Sequence, residues 1–119
     1  MKDRISINRL QVPIHLGVPD EERALAQTVE ITLHLYLTDS LFGTADEIEK
    51  TVNYYEVSQD VLKIAAQRPR KLIELLNEDI ARTLLSTYPL ERVEIRTDKF
   101  IIPNTASVSV EMTLNRNEL

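Results

Sequence analysis

The chain has 119 residues, of which 43% are hydrophobic and 28% charged, the profile of one soluble globular domain over residues 1–119. It has no cysteine, which removes disulfides, thiolate nucleophiles and thiolate metal sites, and His15 and His34 lack metal-ligand spacing. The net charge of -5 disfavours nucleic acid as a partner, no apolar run approaches the ~20 residues of a membrane span, and the amino terminus lacks a signal-peptide core, so a cytoplasmic address is expected.

The first predicted strand runs from Arg4 to Ile14. Its apolar residues alternate through Ile5 and Ile7, slip phase at Asn8-Arg9, and resume at Leu10, Val12 and Ile14, which predicts a bulge. Residues 17–26 are polar and turn-rich. Thr28 to Leu37 is the clearest strand, with Val29, Ile31, Leu33, Leu35 and Leu37 on one face and Thr28, Glu30, Thr32, His34 and Tyr36 on the other. Residues 39–50 read as a loop with a short helical turn.

Asn53 and Glu56 form a candidate capping box, and the helix after them carries Val57, Val61, Leu62, Ile64 and Ala65 on one stripe. The run Gln67-Arg68-Pro69-Arg70-Lys71 interrupts it and reads as a solvated basic loop. A second helix is predicted over about 72–86, with Leu72, Leu75, Leu76, Ile80, Thr83 and Leu84 at helical spacing and Pro89 at its exit. Arg92 to Lys99 alternates as a third strand, residues 100–104 form a loop, and Ser107 to Leu114 is the fourth strand. The order ββααββ predicts an α+β domain, an antiparallel four-stranded sheet with two helices on one face. Such a sheet has two exposed edges, which edge-to-edge pairing between subunits into a closed barrel would protect.

Four polar residues have no evident structural task. Glu22 lies in a turn, Tyr54 at a helix start, Glu74 inside the apolar run Leu72-Ile73-Glu74-Leu75-Leu76, and Lys99 at a strand end. An acid, a phenol, a second acid and an amine suit a small acid-base site. Each also has a plainer reading: a solvated acid cluster for Glu22, a rim tyrosine, a helix-dipole partner for Glu74, and a strand-end charge for Lys99.

The segment Leu16-Gly17-Val18-Pro19-Asp20-Glu21-Glu22-Arg23 with Gln27, the segment Thr51-Val52-Asn53-Tyr54 with Val57, the segment Leu72-Ile73-Glu74, and Lys99 together resemble the dihydroneopterin aldolase family of folate synthesis. The resemblance implies the tunnelling fold, with tetrameric rings whose sheets close into one barrel and stack into homo-octamers, and sites between neighbouring subunits. It implies a pterin substrate and no metal or other cofactor. Glu74 would hold the pterin ring, backbone groups near Val52 and Ile73 would complete its recognition, Lys99 and Glu22 would handle the side-chain proton, and the neighbouring subunit's copy of Tyr54 would protonate the carbanion-like centre.

The chain departs from the family pattern at two places. The aromatic-Gly-Tyr-His-Gly stretch reads Pro13-Ile14-His15-Leu16-Gly17, so His15 is given no role. Phe100-Ile101-Ile102 replaces the more common proline and small residues after the lysine. These leave two alternatives open: the triphosphate epimerase of the same family, and a ring-forming pterin-binding protein without catalysis.

Overall fold

The computed structural model describes residues 3–119. Period-two alternation becomes four antiparallel strands in spatial order β1-β2-β3-β4: β1 (Ile5–His15), β2 (Ala26–Leu37), β3 (Leu90–Lys99) and β4 (Val108–Asn115). The registers Leu33↔Ile95 and Ile95↔Met112 bring the apolar positions of neighbouring strands onto one face. On β2 the residues Val29, Ile31, Leu33 and Leu35 are fully buried. The predicted bulge is present: the β1–β2 register shifts between Ile7 and Leu10, and Arg9 takes φ 54°. The opposite, polar face lines an open cleft of about 770 Å³ that includes Thr32, His34, Arg96 and Glu111.

Among the described residues three α-helices accompany the sheet, α1 (Asp20–Arg23), α2 (Tyr54–Ala66) and α3 (Ile73–Thr87), with single 3-10 turns at Ile48–Lys50 and Arg116–Glu118. The short α1 lies inside the segment expected to be turn. Of the α2 capping box only the asparagine half forms, with Asn53 Oδ1 accepting from the Tyr55 N–H at 3.0 Å. α2 packs on β1 and α3 on β3 and β4, and their buried faces share one core with the sheet. Among the described residues no helix is long and apolar enough to cross a membrane.

The α3 stripe is rotated from the one expected. Ile73, Leu76, Asn77, Ile80, Ala81, Leu84 and Leu85 are buried, whereas Leu72, Leu75 and Thr83 are exposed. The leucines at 72 and 75 drew the expected stripe toward them, and the polar Asn77 disguised the true one. Asn77 is tolerated inside because both ends of its amide are satisfied: Nδ2–H donates to the Val110 carbonyl at 3.1 Å, and Oδ1 accepts from the Thr97 hydroxyl at 2.6 Å.

The basic linker is also not the solvated loop expected. Arg70 is buried, and its guanidinium donates to the Ile64 and Ala65 carbonyls at the end of α2, to the Arg68 carbonyl, and to Asp79 at 2.9 Å. A cation on the last carbonyls of a helix satisfies acceptors left without intrahelical partners and complements the dipole. The Arg70 backbone meanwhile bridges to β1, with its N–H on the His15 carbonyl and its carbonyl accepting from the Gly17 N–H, both at 3.0 Å.

Partial burial would push the Asp79 carboxyl up, but the hydrogen bonds from Arg68 and Arg70 together bring it below the ordinary carboxylate range. Asp79→Asn is therefore expected to destabilise the fold by about 2–3 kcal/mol at pH 7, somewhat less than the ~3–5 kcal/mol for breaking a fully buried pair because Asp79 is partly exposed. The stability Asp79 lends is fully present above its unfolded pKa of about 4 and is lost as pH falls through its lower folded value. Urea unfolding of both proteins across pH checks this: the difference between them should shrink in acid.

Candidate active site

Glu22 and Lys99, far apart in sequence, meet: Lys99 Nζ lies 2.7 Å from Glu22 Oε2, and the side chains are only 12% and 21% exposed. Each is placed by a different element. Lys99 is the last residue of β3, while Glu22 projects from α1, which the chain enters through the turn at Gly17. Gly17 has φ +151°, and a Cβ there would stand 2.4 Å from the Glu22 carboxyl carbon. Only glycine leaves Glu22 that space.

The turn is tied on both sides. Arg23 donates to the Gly17 and Val18 carbonyls at 2.8 and 3.0 Å and pairs with Asp20. The His15 Nδ1–H donates to the Arg23 carbonyl at 2.9 Å, so His15 fastens the turn. Gln27 on β2 donates to the Leu16 carbonyl at 2.7 Å and to Glu22 Oε2 at 3.3 Å, tying the carboxylate to the sheet. The hydrogen bond from Lys99 holds the Glu22 carboxyl below the ordinary carboxylate range against the upward push of partial burial, with Gln27 assisting. Lys99 and Gln27 both donate to Glu22 Oε2, and among the described residues Oε1 has no hydrogen-bond partner, which leaves an acceptor for a water or a substrate hydroxyl.

Gly17→Ala should displace Glu22 without unfolding the domain. A displacement of about 1 Å at a reacting group can cost ~10²-fold in rate, and kcat/KM alongside far-UV circular dichroism would measure the effect. Wild-type kinetics in a folded Gly17→Ala protein would show that this close approach is immaterial.

Ile73 and Glu74 open α3, with Ile73 buried and Glu74 exposed. The Asn77–Thr97 hydrogen bond fastens the second turn of α3 to the strand position two before Lys99, so Glu74 and Lys99 ride on elements locked to each other. Val52 and Tyr54 stand at the start of α2, Val52 buried and Tyr54 64% exposed. Among the described residues no hydrogen bond joins Tyr54 to Glu22, Glu74 or Lys99. A single chain thus assembles Glu22 with Lys99, carries Glu74 on an adjoining element, and leaves Tyr54 projecting outward.

The positioning residues Gly17, Gln27, Asn77 and Thr97 were not assigned roles from sequence. A lone amide inside an otherwise apolar helical stripe was the available signal for Asn77. Gln27 stood in sequence only as part of the family-like segment, with no role, because its partners Leu16 and Glu22 come from outside its own strand. Among the described residues no three His, Cys, Asp or Glu side chains converge as a metal-binding group.

The family model described as dihydroneopterin aldolase (FolB) matches residues 5–113. The chain is 35% identical over 122 residues to the dihydroneopterin aldolase of Methylorubrum extorquens, covering 99% of this chain and 94% of that protein. The crystal structure of a FolB protein from Vibrio cholerae superposes with TM-score 0.91 at 26% identity, covering 98% of this chain and 99% of that one. The Escherichia coli dihydroneopterin aldolase in complex with neopterin shares the fold, with TM-score 0.88 at 21% identity over 95% of this chain and 99% of that one. With the family model spanning nearly all of its length, this chain belongs to the dihydroneopterin aldolase family.

Proposed function

We propose that this chain, as one cytoplasmic domain over residues 1–119, is a 7,8-dihydroneopterin aldolase that produces 6-hydroxymethyl-7,8-dihydropterin and glycolaldehyde without a metal. The observation that carries the reading is the hydrogen-bonded Glu22–Lys99 pair at 2.7 Å, locked to the element that presents Glu74. A carboxylate offers two acceptors to the parallel N–H donors of a pterin ring, which suits Glu74 as the ring anchor, with Ile73 and Val52 supplying backbone groups beside it.

In this reading the Glu22 carboxylate accepts the proton of the side-chain hydroxyl through a water, and the Lys99 ammonium stabilises the oxyanion as it develops. The adjacent carbon–carbon bond breaks, glycolaldehyde departs, and the electron pair passes into the ring C=N beside the side chain. Tyr54 then delivers a proton to the resulting carbanion-like centre. The substrate supplies its own electron sink, so the protein needs only orientation and proton transfer.

Tyr54 reaches that centre from a neighbouring subunit. Two features support such an assembly. β1 and β4 present unpaired edges. Tyr54, Tyr55, Leu72 and Leu75 form apolar exposure at the starts of α2 and α3. Sheets joined edge to edge would close into a barrel, in tetrameric rings that pair as octamers. The E. coli relative's complex with neopterin supports a pterin as ligand.

The test is an assay of purified protein with 7,8-dihydroneopterin, after exhaustive chelation. Glycolaldehyde and 6-hydroxymethyl-7,8-dihydropterin should appear in equal amounts. Pterin binding with no glycolaldehyde release would contradict an enzymatic role.

A further inference from the structure

Arg70 stands at the junction of the elements that carry the site. It lies in the linker between α2, which opens with Tyr54, and α3, which presents Glu74 four residues later. Its side chain is fully buried, and its guanidinium makes four hydrogen bonds: to Asp79 at 2.9 Å, and to the Arg68, Ile64 and Ala65 carbonyls at 3.0, 3.1 and 3.3 Å. Only a planar fork spreads donors toward that many acceptors, so a lysine would not replace it. Compared with apolar side chains of the same volume, a buried ion pair adds little net stability; what this one imposes is a defined geometry.

That geometry reaches the site through the backbone. The Arg70 N–H donates to the His15 carbonyl and the Arg70 carbonyl accepts from the Gly17 N–H, so the linker pairs with the chain on either side of Leu16. Leu16 is fully buried, and its own carbonyl accepts from Gln27. The same Gln27 amide donates to Glu22, and Gly17 is the residue whose missing Cβ leaves Glu22 its space. An unbroken chain of contacts therefore runs from Asp79 through Arg70 and Leu16 to Gln27 and Glu22. Glu74 depends on a separate tie, the hydrogen bond between Asn77 and Thr97.

We propose that Arg70 is a positioning residue for the reaction: its anchored guanidinium fixes the linker that pairs with residues 15–17, and thereby holds Glu22 against Lys99. This rests on the aldolase reading above and adds to it a residue outside the site that sets the proton-transfer geometry. Loosening the anchor should move Glu22 and spare Glu74, so that chemistry and ring binding separate. Glu22 faces Lys99 from β3 and Gln27 from β2. The other titratable groups of its turn are Glu21, Asp20 with its partner Arg23, and His15 on the Arg23 carbonyl. Lys99 is the chief cause that holds the Glu22 carboxyl low, so a retreat of Glu22 from Lys99 raises it.

The experiment compares the wild type with Asp79→Asn and with the double substitution Arg70→Met/Asp79→Leu, which removes the pair without leaving an unpaired charge inside. Far-UV circular dichroism first verifies folding. In the double variant kcat for 7,8-dihydroneopterin should fall ~10–10²-fold, the effect of a displacement of about 1 Å at a reacting group, while the pterin dissociation constant from direct titration stays within about threefold. The acid limb of kcat/KM should move toward neutrality, and the titration midpoint of the Glu22 carboxyl, read by carbon NMR, should rise with it. Asp79→Asn leaves Arg70 its three carbonyl acceptors and should move both readouts the same way by less. Wild-type kcat with an unmoved Glu22 midpoint, in whichever variants fold, would make Arg70 a purely structural residue and overturn the proposal while leaving the aldolase reading standing. A wild type that releases no glycolaldehyde would overturn the aldolase reading, and the NMR midpoint would still decide whether Arg70 holds Glu22 on Lys99.

Discussion

Lys99→Met should lower turnover of 7,8-dihydroneopterin by about 10²–10⁴-fold, the usual worth of a positioned acid-base group, while KM changes far less. Methionine keeps the length of the stem but breaks a mostly buried ion pair with Glu22, so some stability is lost with the charge, and the kinetics are to be read on protein shown to be folded by far-UV circular dichroism. The same substitution alters the pH profile in a defined direction. The Lys99 hydrogen bond is the chief cause that holds the Glu22 carboxyl low. Without it, burial pushes the carboxyl up, and Glu22 takes its proton at a higher pH than before. The acid limb of kcat/KM should therefore move toward neutrality in Lys99→Met. Steady-state kinetics across pH measure both effects. Equal losses in kcat and in affinity, with the acid limb unmoved, would make Lys99 a binding group.

Glu74→Ala should instead weaken pterin binding by roughly 10–150-fold, the range for hydrogen bonds to a charged group. Glu74 stands exposed in the first turn of α3 and makes no hydrogen bond or ion pair among the described residues, so its removal costs the fold little. The deficit should appear in direct titration with pterin, where no chemistry occurs. Glu74→Gln should fall between, because an amide keeps one acceptor and turns a donor toward the second ring N–H. An affinity within about threefold of wild type for Glu74→Ala would remove Glu74 from the ring-anchor role.

The sheet was legible because its signal is local. Alternation through Val29, Ile31, Leu33, Leu35 and Leu37 requires only a period of two, and the phase slip at Asn8-Arg9 fell on the bulge itself. The helix after Asn53 was legible through its cap. What failed were residues whose environment is decided by distant partners. Arg70 reads as a solvated cation in a run of basic residues, yet the end of α2 and Asp79 together give a guanidinium enough acceptors to be buried. Asn77 was left out of the expected stripe, yet β3 and β4 bring it a donor and an acceptor and it is buried.

The site divides along the same line. Glu22, Glu74 and Lys99 stood out in sequence because each sits where its local pattern does not call for it. The sequence could not show that Glu22 and Lys99 touch, since their approach depends on the turn at Gly17 and on Gln27 holding it from β2. Tyr54 makes no hydrogen bond to this group among the described residues and is 64% exposed.

The most direct test of a site shared between subunits is complementation. Tyr54→Phe and Lys99→Met proteins, each with little activity alone, would be mixed and allowed to exchange subunits. If one chain supplies Tyr54 and its neighbour Lys99, random pairing restores about a quarter of the sites, and activity should recover well above that of either parent. Activity equal to the mean of the two variants after verified exchange, or a wild-type protein that is monomeric and fully active, would contradict the account.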